Sequence, residues 1–87
     1  MSTENDIYNF VVEYLERSSP VPGDTVEAIK AYRYLDAGHI NSFALFPFIM
    51  ELEDQFGVSF SAEDTQSDEF RTVGGVVGMV VDKVRAA

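Results

Sequence analysis

The chain has no cysteine among its 87 residues, which excludes both a disulfide framework and a thiolate metal site. It has one histidine, His39, and a lone imidazole does not assemble a histidine-based zinc site. Positive charge is scarce, with 6 lysines and arginines against 15 carboxylates and a net charge of −9. Nucleic acid is therefore not an expected partner, because its phosphates are repelled. An anionic membrane surface is disfavoured for the same reason. Long apolar runs are missing too. The two longest, residues 43–50 and 73–81, fall short of the roughly 20 residues that cross a bilayer, so no membrane insertion is expected. Residues 1–6 are polar and acidic, without the basic start of a secretory signal. A cytoplasmic location is the expectation that follows.

What is present suffices for one packed domain, residues 1–87, since apolar residues make up 46% and aromatics 13%. The core of so short a chain is small and its stability marginal. The negative charge makes basic protein surfaces the natural partners and speeds encounters with them. It also favours a self-repelling monomer.

Helical periodicity dominates the pattern. Ile7, Phe10, Val11, Tyr14 and Leu15 form one stripe. Thr3 with Asp6 reads as a capping box at its start, and Pro20 and Pro22 predict an end near Arg17. Pro20-Val21-Pro22-Gly23 is turn chemistry. Asp24 or Thr25 is expected to cap a short helical piece over residues 26–30. Tyr32, Tyr34 and Leu35 are expected to fold back on the core, because a structureless loop this long is uncommon in a compact domain.

A second stripe comprises Leu45, Phe48, Ile49, Leu52 and Phe56, and on another side of the same cylinder lie Phe43, Phe46 and Met50. Asn41 and Ser42 are both good N-caps for this helix. Pro47 lies just past the first turn, and a bend is expected there. Ser61 with Asp64 reads as a second capping box before a short helix, and Phe70 as the anchor of that segment. After Thr72, a predicted cap, Val73, Val76, Val77, Val80, Val81 and Val84 repeat at helical spacing. That period outweighs the strand preference of valine and the helix-weakening Gly74, Gly75 and Gly78. Three strong stripes and one weak helix predict an all-α fold, a small four-helix bundle with a long first loop.

The stretch Leu35-Asp36-Ala37-Gly38-His39-Ile40-Asn41-Ser42-Phe43, followed by Leu52-Glu53-Asp54-Gln55-Phe56-Gly57-Val58, resembles the phosphopantetheine attachment region of acyl carrier proteins. In that family a Leu-x-x-x-Gly loop leads to Asp-Ser-Leu and a helix ending Leu-Glu-x-x-Phe. The wording Leu-Asp-Ala-Gly looks most like the stand-alone carriers of the D-alanyl or aminoacyl type. The resemblance implies the acyl-carrier bundle, a non-catalytic protein, and a 4′-phosphopantetheine arm on Ser42 that holds an acyl or aminoacyl group as a thioester. It implies a phosphopantetheinyl transferase, a loading ligase and a downstream transferase or synthase as partners. It places Asn41, Phe43, Phe46, Met50 and Glu51 on the partner-facing surface, with Glu53 and Asp54 adding acidity late on the helix.

Two positions depart from the family. Asn41 stands where Asp is usual, and Pro47 stands where an acidic residue is common. The first motivates an alternative, an unmodified helical adaptor that kept the fold and lost the arm. The second points to docking that is more hydrophobic than in fatty acid synthesis. His39 reads as a loop residue, and no acid, base and nucleophile converge on an enzyme site.

Overall fold

Side-chain caps set most of the helix starts, and the computed structural model, which describes residues 3–86, shows each of them made. Helix α1 (Glu4–Glu16) opens on the Thr3 box: the Asp6 amide donates to the Thr3 hydroxyl at 3.2 Å and the Thr3 amide to the Asp6 carboxylate at 3.0 Å. These bonds hold the Asp6 carboxyl below the usual carboxylate range. Ile7, Val11 and Leu15 are buried, and Phe10 and Tyr14 are half-buried beside them. Thr25 caps α2 (Val26–Lys30) through the Ala28 amide at 3.1 Å. Asn41 caps α3 (Ser42–Phe56). The Ser61 box, closed by Asp64, opens α4 (Ala62–Gln66). A 3₁₀ turn (Asp68–Arg71) leads to α5 (Val73–Ala86), where the Thr72 hydroxyl accepts from the Gly75 amide at 3.0 Å.

The fold is all-α, and no strand occurs among the described residues. The described residues form five α-helices rather than four, because the helical piece expected in the long first loop counts as α2. No described helix is long and apolar enough to cross a membrane.

One core joins the three long helices. Val73, Val76, Val77 and Val80 of α5 pack with Ile7, Val11 and Leu15 of α1 and with Phe48 and Leu52 of α3. Fully burying such a side chain is worth about 1.5–3 kcal/mol, which outweighs the modest helix penalty of each valine. Phe70 is fully buried beneath the 3₁₀ turn.

The first loop is part of this core. Tyr34 is fully buried, edge-on to both Phe48 and Phe70, and its hydroxyl donates to the Phe70 carbonyl. Burial pushes its phenol well above the ordinary tyrosine range. Tyr32 and Leu35 are half-buried against the same cluster. Gly75 lets the 3₁₀ turn press onto α5: a Cβ there would collide with the Glu69 carbonyl.

Candidate functional site at the start of the third helix

The segment that delivers Ser42 is tied down residue by residue. Asp36 accepts from Arg33 at 2.6 Å and from Arg71 at 2.9 Å, which joins the loop to the 3₁₀ turn. The Arg33 hydrogen bond, helped by the charge of both guanidiniums, holds the Asp36 carboxyl below its usual range. Gly38 turns the chain with φ +72°, a conformation side chains rarely adopt. The His39 ring lies between Leu15 and Tyr32, and Ile40 is buried in the core. Asn41 then caps α3: its Oδ1 accepts from the Ala44 amide at 2.8 Å, and its carbonyl accepts from the Leu45 amide at 3.0 Å. Ser42 is the first residue of the helix.

The first turn of α3 contains no acidic residue. Its amides and helix dipole therefore leave a positive end uncompensated by side-chain charge, a setting that favours an anion. Pro47 lies inside the helix, which continues to Phe56. Having no N–H, Pro47 leaves the Phe43 carbonyl without its regular helical donor.

The two apolar stripes of α3 have opposite fates. Phe48 and Leu52 are fully buried, with Leu45, Ile49 and Phe56 packed against the core. Phe43, Phe46 and Met50 are 86%, 66% and 54% exposed. The first loop covers Phe48 with Tyr34 and leaves this second stripe in solvent. Glu51 is exposed beside it, 3.8 Å from Arg17. Asp54 is exposed as well.

Glu53 differs from the expectation. It is half-buried, and its carboxylate accepts from the Phe60 amide at 2.9 Å, tying the end of α3 to the loop before α4. Its charge is used internally, so the acidity of this face rests on Glu51 and Asp54.

The structure thus brings Asn41, Ser42, Phe43, Phe46, Met50 and Glu51 together along one helix. Three anchoring ties had no signal in the sequence pattern: Asp36 to Arg71, His39 to Leu15 and Glu53 to Phe60. Only the Arg33–Asp36 pair, three residues apart, has a local signature. No family model, no curated protein and no solved structure matches this chain.

Proposed function

We propose that the chain is a phosphopantetheine-dependent carrier protein of the acyl-carrier four-helix type, with α1, α3, α4 and α5 as its bundle and Ser42 as the attachment point. A transferase joins the serine oxygen to the pantetheine-side phosphorus of coenzyme A, the pyrophosphate bridge breaks, and the adenosine bisphosphate half leaves. The terminal thiol of the arm then carries an acyl or aminoacyl group as a thioester. A loading ligase charges it and a downstream transferase or synthase takes the group. The protein supplies position and recognition, not catalysis, and acts as a cytoplasmic monomer.

One observation carries this reading: the helix that begins at Ser42 keeps three large apolar side chains in solvent. A small domain gains by burying such groups, so a contiguous exposed set marks a contact surface. Its place directly after the serine lets one partner read the helix and reach the arm together. The positive end of α3 favours a phosphodiester at its first residue.

The test is an intact mass after incubation with coenzyme A and a broad-specificity phosphopantetheinyl transferase, beside Ser42→Ala and Asn41→Asp. A gain of one phosphopantetheine on the parent, absent from Ser42→Ala, is expected. The neutral Asn41 favours a second reading, a helical adaptor without the arm. That reading stands if neither the parent nor Asn41→Asp gains mass.

A further inference from the structure

We propose that His39 is a positioning residue, whose ring clasps the serine-bearing loop to the end of α1 and so fixes where α3 and Ser42 begin. The consequence for modification rests on the carrier reading; the clasp itself does not.

The ring makes contacts on both of its nitrogens. Nε2 lies 2.8 Å from the Leu15 carbonyl oxygen and 3.4 Å from the Ser19 hydroxyl, and Nδ1 lies 2.8 Å from the Tyr32 hydroxyl. A carbonyl only accepts, so Nε2 carries a proton and donates it to Leu15. In the neutral ring Nδ1 is then an acceptor, and the Tyr32 hydroxyl donates to it. The network thereby selects one tautomer.

Each partner is itself anchored. Leu15 lies in the last turn of α1, where its carbonyl also accepts from the Ser18 and Ser19 amides at 3.1 and 3.5 Å, and His39 adds a side-chain donor from the loop. The Tyr32 carbonyl accepts from the Val73 amide at 3.1 Å, the first residue of α5. The His39 amide donates to the carbonyl of buried Tyr34 at 2.9 Å. Through one residue the loop is held to the end of α1, the start of α5 and the core.

The placement gives the clasp its effect. On one side is Gly38, whose backbone is permissive. On the other are Ile40, in the core, and Asn41, which caps α3. Without the ring, the chain between Gly38 and the cap keeps the Ile40 anchor and loses its link to α1. A helix cap alone needs one hydrogen bond; bonding on both nitrogens fixes the orientation of the ring as well.

The experiment compares the parent with His39→Ala and His39→Gln, in the full chain, by amide hydrogen exchange and by transferase kinetics with coenzyme A. In His39→Ala the Ala44 and Leu45 amides are expected to exchange about tenfold faster or more, while Val76, Val77 and Val80 keep their protection. The transferase kcat/KM is expected to fall. Glutamine, which places an amide N–H near the Nε2 position, is expected to restore much of both. Exchange that is unchanged, or that rises equally in α5, overturns the clasp. Faster local exchange with an unaltered kcat/KM overturns the positioning role. If the parent itself takes no phosphopantetheine, the carrier reading fails and the positioning role with it, while the exchange pattern still decides the clasp.

Discussion

Phe46 and Phe48 are next neighbours but one on α3, and they face opposite ways: Phe46 is 66% exposed and Phe48 fully buried. Two residues along a helix are about 200° of rotation, so one face is core and the other is surface. Phe48→Ala is expected to cost about 3–5 kcal/mol, the range for emptying a buried aromatic site. Phe46→Ala is expected to change stability by about 0.5 kcal/mol or less. The functional expectation is reversed. Phe46→Ala weakens delivery to a partner enzyme more than it lowers Tm. Thermal melts run beside a thioester-transfer assay check this, and a large Tm loss with intact delivery would assign Phe46 to the core.

Gly75 and Gly78 have the same helix propensity and opposite surroundings. A Cβ on Gly75 meets the Glu69 carbonyl, whereas one on Gly78 meets nothing within 4 Å. Gly78→Ala is therefore expected to stabilise by about 0.5–1 kcal/mol, the helical gain of alanine over glycine. In a domain of this size that raises Tm by several degrees. Gly75→Ala forces the 3₁₀ turn off α5 and is expected to lower Tm despite the same gain. Two thermal melts decide it. Equal shifts would mean that α5 and the turn are not packed this closely.

Asn41 caps α3 through its Oδ1, and Asp serves as well in that role. Asn41→Asp is expected to leave stability unchanged or raise it by about 0.3–1 kcal/mol, because the new charge sits at the positive helix end. Asn41→Ala is expected to cost about 1 kcal/mol. The transferase rate should rise for Asp, if the missing charge is what a basic transferase reads. A rate equal to the parent's would show that the amide suffices.

Local features carried the sequence reading furthest. The stripes of α1, α3 and α5 repeat over several turns, and only a helix brings such residues onto one face. The caps at Thr3, Thr25, Asn41, Ser61 and Thr72 each bond an amide three residues on, so cap and partner share one short stretch. The ties that hold the site are of another kind. His39 meets Leu15, Arg71 meets Asp36 and Glu53 meets Phe60. None of these pairs has a periodic signature, because each depends on how the loops return. The two exposures on α3 were legible as two stripes. Which of them faces solvent depended on where Tyr34 lands.

Lys83 donates to the Asp64 carboxylate at 2.8 Å and so links α5 to the capping box of α4. That bond, with the Ser61 amide, holds the Asp64 carboxyl below its ordinary value of 3.8. A carboxyl lowered by folding stabilises the native state above its unfolded pKa, and the contribution is lost as pH falls through the folded value. Both side chains are mostly but not wholly covered, at 27% and 28% exposure, so the pair is worth about 1 kcal/mol. Asp64→Asn is expected to melt several degrees below the parent at neutral pH. The gap should narrow below about pH 4 and close once Asp64 is protonated. The remaining carboxylates titrate in both proteins, so the difference between the two melting curves isolates this one. A gap that stays constant from neutral to strongly acidic pH would mean that the carboxylate charge contributes nothing, and that only the cap geometry matters.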